Sequence, residues 1–194
     1  MQSAKTAVTH FPVHELIKQR YSPRSFNEQE VTLTTLQNLI EAASWAFSAN
    51  NEQPWRYLIA NKTNPVFQTI FESLLPGNQP WAKNAGAFIV GFAKTNFDKE
   101  GNPPNAWAEH DLGAANATLA LQATALGLGV HPMAGFDAAK LIGALNTDSF
   151  LKPVVVFAVG YPDVAEKLPE PFLGRERTPR TRKSLDEIII TPQQ

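Results

Sequence analysis

The arginines of this chain form two groups that lie far apart in the sequence. Arg20 and Arg24 flank Ser22 in the segment RYSPRSF, and Arg180 and Arg182 lie near the other end of the chain. A guanidinium group donates paired hydrogen bonds to phosphate or carbonyl oxygens. The two groups could therefore neutralise one dianionic phosphate if the fold brings them together. The alternative for each group is a solvated basic turn on the surface.

Uncharged hydrogen-bonding side chains are concentrated in residues 47–55, FSANNEQPW. Ser48, Asn51 and Gln53 donate and accept hydrogen bonds without carrying charge, which suits the edge of a planar heterocycle. Asn78 supplies an amide in a second loop, and Gly135 lies in a third turn. The alternative is a set of ordinary polar turns, because Asn, Ser and Gly dominate loops.

Several classes of catalytic site are missing from the sequence. It contains no Gly-x-Ser-x-Gly, P-loop or His-Glu-x-x-His motif, and no cysteine. The pair His10 and His14 lacks a third metal ligand, and residues 109–111, Glu-His-Asp, are interpreted as the polar start of a helix. We therefore predict no metal site and no catalytic side chain. The remaining recognition groups suit a protein that holds a phosphate-bearing cofactor and leaves the chemistry to it.

Composition restricts the partners that we expect. The chain has 194 residues, of which 43% are hydrophobic and 18% charged, as in an ordinary globular domain. A net charge of −1 gives no general attraction to nucleic acid or to a membrane surface. The sequence shows neither a signal peptide nor a membrane-spanning run, so a cytoplasmic protein is expected. A basic run from Arg175 to Lys183 keeps an RNA-contact protein as an alternative.

Hydrophobic spacing predicts the elements that must position these residues. Helices are predicted over residues 11–19, 31–45, 65–75, 107–126 and 138–145, and strands over 55–60, 85–93 and 154–160. Thr32 or Thr34 is the expected N-cap of the second helix, and the fourth helix is apolar on all faces, which predicts a core position. We predict a loose N-terminal arm (1–10), one main domain (11–163) and an extended C-terminal arm (164–194) ending in a β-branched strand at 188–190.

The order of these segments resembles that of the FMN-dependent nitroreductases, from about residue 13 to 190. RYSPRSF resembles the family's Arg-x-Ser-x-Arg/Lys-x-Phe, and FSANNEQPW resembles its Pro-Ser-x-x-Asn-x-Gln-Pro-Trp. The segments 111–115, 127–129, 135–137, 160–162 and 180–187 are similar to its later signatures. Three residues depart from the pattern: Phe47 replaces Pro, Ala49 replaces a frequent Ser, and Ala134 replaces an acid found in some members.

The resemblance implies a fold, a cofactor and an activity. The fold would be an α+β sandwich with a central, mostly antiparallel sheet flanked by helices. Two chains would form an intertwined homodimer, in which the C-terminal arm adds a strand to the partner's sheet. The protein would use NADPH or NADH to reduce FMN, which would then reduce an electrophile such as a nitroaromatic or a quinone in a ping-pong reaction. The alternative is a flavin-binding sensor or storage module without turnover.

The resemblance also implies roles for individual residues. The phosphate end of FMN would be held by Arg20, Ser22, Arg180 and Arg182, and Tyr21 would also contact the cofactor. Arg24 would lie at the pyrimidine edge of the ring, where its charge would stabilise the reduced flavin. Contacts from the partner subunit would come from Ser48, Asn51 and Gln53. Asn78 would reach the ring or the ribityl chain, and Ala134 and Gly135 would place backbone near N5.

Overall fold

The centre of the molecule is an antiparallel sheet of four strands. The computed structural model of the chain describes residues 5–190. The strands are β1 (Trp55–Asn61), β2 (Ala87–Lys94), β3 (Gly129–Met133) and β4 (Leu151–Gly160). Their spatial order is β1-β2-β4-β3, and every neighbouring pair is antiparallel. The predicted antiparallel sheet is confirmed.

Eight helices surround the sheet within residues 5–190. They are α1 (Glu15–Gln19), α2 (Leu33–Ser44), α3 (Val66–Ser73), α4 (Gln79–Ala82), α5 (Ala108–Ala125), α6 (Ala138–Leu145), α7 (Phe172–Arg177) and α8 (Leu185–Ile188). Short 3₁₀ turns occupy Ala49–Asn51 and Ala165–Lys167. None of the helices in the described part of the chain is long and apolar enough to cross a membrane.

Helices pack on both faces of the sheet because the strands alternate their side chains. In β2, Ile89 packs into the core shared with α2 and α5, whereas Phe88 and Val90 pack into the core shared with α3, α4, α6 and α7. The sheet thus lies between two helical layers, which agrees with the predicted α+β sandwich.

The local sequence at the start of α2 determines where this helix begins. Thr32 is the N-cap, and its hydroxyl accepts a hydrogen bond from the Thr35 backbone N–H, as the sequence suggested. Leu36, Leu39 and Ala43 follow at helical spacing and are all buried. Packing of this stripe against α5 and β1 fixes the position of the loop that follows α2.

Helix α5 is buried along one stripe only, although its sequence predicted burial on all faces. The buried residues are Ala108, Asp111, Leu112, Ala115, Leu119 and Ala123. Gly113 and Ala117, on another face, are exposed. A surface of small apolar side chains therefore remains open along this helix.

Strand β3 was missed by the sequence analysis, which predicted no strand between residues 93 and 154. The strand lies at the edge of the sheet, where it pairs only with β4. An edge strand tolerates Pro132 because one side of its backbone needs no ladder partner. The proline, which argues against a central strand, is thus compatible with this position.

The two ends of the chain also differ from the expected pattern. The connection predicted as extended contains α7, and a capping box between Ser184 and Glu187 begins α8, which continues to Ile188. The strand predicted at 188–190 does not form in the single chain, because Ile188 ends α8 and residues 189 and 190 lie in no strand. The pairing of this segment with a partner's sheet stays a prediction. Residues 1–4 of the predicted N-terminal arm lie outside the described residues, whereas Lys5 contacts the C-terminal segment.

Gly129 allows the close contact between β3 and the segment that carries Arg20 and Arg24. A Cβ atom at Gly129 would lie 2.2 Å from Cγ of Pro23. We expect Gly129→Ala to destabilise the protein by about 1–3 kcal/mol, as overpacking does. The control is Gly143→Ala in α6, where a Cβ would have nothing within 4 Å, and which should stabilise by up to about 1 kcal/mol. Urea unfolding measures both, and a destabilisation by Gly143→Ala as large as that by Gly129→Ala would contradict the packing argument.

Candidate functional site

Residues from both ends of the chain line one basic cavity of about 200 Å³. Its lining consists of Lys5, Arg20, Tyr21, Ser22, Arg180 and Arg182. The structure thus brings together the four residues that the sequence analysis assigned to a phosphate, places Tyr21 with them, and adds Lys5, which the sequence analysis missed. No carboxylate belongs to this lining, so the cavity is suited to an anion.

Backbone carbonyl groups hold Arg180 in place. Its Nη1 donates to the carbonyl oxygens of Lys5, at 3.1 Å, and Lys18, at 2.9 Å. Lys5 in turn donates from Nζ to the carbonyl oxygens of Arg175 and Thr178, at 2.9 and 2.8 Å. These bonds join the N-terminal segment, the end of α1 and the segment after α7. Part of the site therefore depends on a residue in the arm that was predicted to be loose.

The arginines in the basic cavity destabilise one another's charges. Burial lowers the pKa of Arg20, and the neighbouring charge of Arg182 lowers it further. Burial likewise lowers the pKa of Arg180, with additional effects from Arg20 and Arg182. Guanidinium groups remain protonated in spite of such shifts. The fold thus holds three like charges together, an arrangement that a bound anion would stabilise.

A larger cavity of about 440 Å³ adjoins the basic cavity, and Arg20 lines both. Its walls are mainly apolar and come from α1, α5, β3 and β4: Ile17, Ala117, Ala120, Leu121, Val130, Pro132, Val155 and Phe157, with the polar Asn116. A ligand with an anionic end and a flat apolar body would match this combination of surfaces.

His131 supports the segment that carries Ser22 and Arg24. Its Nδ1 lies 3.1 Å from the carbonyl oxygen of Ser22 and 3.0 Å from that of Pro23. Because carbonyl oxygens only accept, Nδ1 carries the proton and donates to both. The imidazole packs against Trp81 with 4.4 Å between ring centroids, and the Arg24 guanidinium lies 5.8 Å from the centroid of the same Trp81 ring. The sequence offered no partner for His131, and these contacts show its structural role.

The environment of His131 keeps its ring neutral. Burial lowers the pKa of His131 to about 4, and the charge of Arg24 acts in the same direction. The hydrogen bonds to Ser22 and Pro23 oppose this shift without reversing it. A neutral donor therefore lies beneath the arginine segment at pH 7 and adds no further positive charge.

Glu176 is a second residue that the sequence analysis did not assign to the site. It is 7% exposed and lies in α7, and its Oε2 accepts a hydrogen bond from the Arg24 backbone N–H at 3.2 Å. Burial raises the pKa of Glu176, whereas this hydrogen bond and the charges of Lys5 and Arg24 lower it. Burial, with a smaller contribution from Glu176, also raises the pKa of Tyr21 to about 12, so its phenol is neutral. In the sequence, Glu176 lies within the basic run from Arg175 to Lys183, so its surroundings indicate no acidic motif.

Asn78 fixes the turn at Gly135. Its Nδ2 donates to the Gly135 carbonyl oxygen at 3.0 Å, and the Leu75 backbone N–H donates to the same oxygen at 3.0 Å. A Cβ atom at residue 135 would lie 2.9 Å from Nδ2 of Asn78, so glycine permits this contact. Ala134, immediately before it, is exposed. The structure thus places Asn78, Ala134 and Gly135 together.

The loop of Ser48, Asn51 and Gln53 has an unusual backbone. Asn50, Asn51 and Gln53 have φ angles of 54°, 57° and 52°, in the left-handed region that non-glycine residues seldom adopt. The Gln53 backbone N–H donates to the Ser48 hydroxyl at 3.1 Å, and Gln53 Nε2 donates to the Asn51 carbonyl oxygen at 3.1 Å. Strained backbone of this kind concentrates at functional sites.

Asp111 anchors this loop to α5. It is 1% exposed, and its Oδ2 accepts from the Ala49 backbone N–H at 3.0 Å. The sequence analysis interpreted Asp111 only as part of a polar helix start. Because α5 rises 1.5 Å per residue, Leu121 in the apolar cavity lies about 15 Å further along the helix axis. Within the described chain, Ser48, Asn51 and Gln53 line neither the basic cavity nor the apolar one.

Comparisons with known sequences agree on one family. The nitroreductase family model matches residues 17–161. A protein of Mycolicibacterium smegmatis, described as an uncharacterized 15.4 kDa protein, is 31% identical over 132 residues, which cover 68% of this chain and 86% of that protein. A Streptococcus pyogenes protein named "Putative NAD(P)H nitroreductase Spy0809" is 26% identical over 207 residues, covering 90% of this chain and 96% of that one.

Solved structures give the same result for the fold. A crystal structure described as an oxidoreductase containing FMN matches with a TM-score of 0.92 and 30% identity, covering 100% of this chain and 98% of that one. A Desulfovibrio desulfuricans protein solved in complex with FMN matches with a TM-score of 0.75 and 25% identity, covering 95% and 99%. The sheet order and helical layers described above therefore belong to a known architecture.

The depressed pKa of His131 gives a prediction about pH. An unfolded histidine titrates near 6.5, and His131 in the folded chain titrates near 4. The unfolded state thus binds more protons between these values, so stability present above pH 6.5 is lost as pH falls toward 4, by on the order of 3 kcal/mol. His131→Asn keeps an N–H donor but does not titrate, so its free energy of unfolding should fall less over this range.

The measurement is urea unfolding of the parent and variants at several pH values from 7 to 4. His10→Asn, a substitution of an exposed histidine, should retain the pH dependence of the parent. The same pH dependence in the parent and in His131→Asn would contradict the assignment.

Proposed function

Because the chain belongs to the nitroreductase family, we propose that it is an FMN-dependent oxidoreductase that uses NADPH or NADH to reduce small electrophiles. The observation that carries the proposal is the convergence of Arg20, Arg180 and Arg182 on one cavity. The nicotinamide donor is supported by the name of the Streptococcus pyogenes relative. Nitroaromatics and quinones are the electrophiles that we propose.

The residues present fit FMN. Its phosphate would neutralise the guanidinium groups in the basic cavity, where burial and neighbouring arginines lower the pKa values of Arg20 and Arg180. Its ring and ribityl chain combine apolar surface with polar edges, and Arg24, Asn78 and the Gly135 backbone supply polar groups for those edges. The glycine turn held by Asn78 allows backbone to approach a flat ring closely.

The protein's contribution to the reaction would be binding, orientation and charge. Bound FMN would supply the hydride acceptor and donor, so no side chain need act as a nucleophile. Tyr21, Ser22 and the arginines of the basic cavity would hold the phosphate. The Arg24 guanidinium, supported by Trp81, would provide positive charge at the pyrimidine edge of the ring.

The central experiment compares the holoprotein with free FMN. Anaerobic addition of NADPH or NADH should bleach the yellow colour rapidly, and a quinone should restore it. In the complete reaction, one NADPH or NADH and one proton convert one quinone to a hydroquinone and leave one oxidised nicotinamide. A sensor or storage module would instead bind FMN tightly and bleach no faster than free FMN, and that result would overturn the proposal.

We further propose that two chains complete each site, with Ser48, Asn51 and Gln53 supplied by the partner. The support is geometric, since within the described chain these three residues line neither the basic cavity nor the apolar one, and their loop is anchored to the start of α5 through Asp111. The open face of α5 at Gly113 and Ala117, together with exposed Phe47, supplies apolar surface for a second copy. The C-terminal arm would extend to the partner.

Dimer formation can be tested on the open face of α5. Gly113→Lys should shift the protein toward monomers in sedimentation velocity at micromolar concentration and weaken FMN binding, because it places charge in the proposed interface at an exposed position that lines neither cavity. Ala139→Lys, which changes an exposed alanine of α6, is the matched control and should remain dimeric. A parent protein that sediments as a monomer with FMN bound would contradict the proposal.

The arginines of the basic cavity should determine FMN affinity. Arg20→Ala and Arg182→Ala should each weaken binding by about ten- to a hundredfold, since a hydrogen bond to a charged group contributes about 1.5–3 kcal/mol. Arg177→Ala removes an exposed arginine that pairs with Glu166 at 2.6 Å and should change affinity little. Titration calorimetry of apo-protein with FMN measures all three, and equal losses for Arg177→Ala and Arg182→Ala would refute the assignment.

Arg24 should affect the reduced cofactor more than the oxidised one. Reduced FMN carries additional negative charge near the pyrimidine edge, so Arg24→Gln should lower the reduction potential of the bound flavin. A tenfold change in the ratio of the two affinities corresponds to about 30 mV. Arg56→Gln, in which an exposed arginine of β1 is replaced, serves as the control. A potential that is unchanged or raised by Arg24→Gln would place Arg24 away from the ring.

A further inference from the structure

Glu176 is a carboxylate buried beside the arginine segment. It lies four residues after Phe172 in α7, so both side chains lie on the same face of the helix. Both residues are buried, and Phe172 belongs to one of the two hydrophobic cores. Burying a carboxylate is unfavourable unless charges and hydrogen bonds compensate. The burial of the Glu176 carboxylate therefore requires an explanation.

The Glu176 carboxylate binds the backbone of Arg24 and leaves the guanidinium group to other contacts. Its Oε2 accepts from the Arg24 N–H at 3.2 Å, whereas the Arg24 guanidinium lies over Trp81. Among the ion pairs of residues 5–190, none joins Glu176 to the Arg24 side chain. Glu176 thus fixes the backbone of Arg24 and forms no direct ion pair with the Arg24 guanidinium group.

Glu176 also connects the two parts of the basic cavity. Its hydrogen bond reaches the segment that begins with Arg20, and α7 ends at Arg177, shortly before Arg180. Burial raises the pKa of Glu176, and the hydrogen bond from the Arg24 N–H together with the charges of Lys5 and Arg24 opposes this shift and favours the ionised form. A negative charge at this point reduces the positive potential experienced by a ligand near Arg24.

We propose that Glu176 is a positioning residue for Arg24 and that its carboxylate lowers the reduction potential of the bound flavin. This inference rests on the proposed function, because it requires FMN beside Arg24. The effect is opposite in sign to that of Arg24, which raises the potential. Arg24 and Glu176 would together set the reduction potential of the flavin, because their opposite charges act on it in opposite directions. The hydrogen bond to the Arg24 backbone would fix the distance between the two charges.

The decisive variant is Glu176→Gln. The amide oxygen of glutamine can still accept from the Arg24 N–H, so the variant removes the charge while retaining the hydrogen bond. We expect reduced FMN to bind up to about tenfold more tightly relative to oxidised FMN, a positive shift of up to about 30 mV for a two-electron couple. Glu166→Gln, an exposed glutamate in the same C-terminal segment, should leave the potential unchanged.

A second variant separates charge from positioning. Glu176→Asp keeps the charge but shortens the side chain and weakens its hold on Arg24, so the potential should be no higher than in the parent while FMN affinity decreases. Apo-protein gives a readout that does not depend on the flavin: Glu176→Gln should bind inorganic phosphate more tightly than the parent, and Glu166→Gln should not.

The outcomes distinguish this inference from the proposed function. A parent protein that fails to bind FMN overturns both, whereas normal FMN reduction with an unchanged or lower potential in Glu176→Gln overturns only the role of Glu176. If Glu176→Gln does not fold, the test relies on Glu176→Asp. A positive shift of its potential similar to that expected from loss of the charge would then contradict the proposal.

Discussion

Repulsion among three guanidinium groups is the constraint around which this site is built. Arg20 lies at the end of α1, whereas Arg180 and Arg182 come from the far end of the chain, and each lines the same basic cavity. The Arg180 side chain is fixed by the carbonyl oxygens of Lys5 and Lys18. Carbonyl dipoles can fix a cation without neutralising it. The positive potential of the cavity therefore remains available to an anionic ligand.

The edge strand β3 serves both cavities because neighbouring residues of a strand face opposite sides of the sheet. His131 points toward Trp81 and donates to the carbonyl groups of Ser22 and Pro23. Pro132, the next residue, lines the apolar cavity on the other side. One short strand thus supports the arginine segment on one face and lines the apolar cavity on the other. A change in its register would exchange these two surfaces.

The fold and the side chains proposed to bind FMN were more readable from sequence than the residues that position them. Apolar periodicity located α2, α5, β2 and β4 because these elements bury regular patterns. The residues proposed to bind the phosphate formed recognisable motifs. His131, Glu176 and Asp111 were not assigned positioning roles, since their partners are backbone groups of distant segments. Such bonds leave no pattern in residue spacing, and they become visible only when the tertiary structure juxtaposes the segments.

The anchoring of the Ser48 loop at Asp111 has a thermodynamic consequence for the proposed dimer. Asp111 is buried in the helix that also lines the apolar cavity, so both surfaces move with one rigid element. If the loop completes the partner's site, FMN binds the dimer more tightly than the monomer. Linkage then requires FMN to strengthen dimerisation by the same factor. The strained residues Asn50, Asn51 and Gln53 would thus contribute to cofactor affinity and to subunit association together, because the same loop serves both.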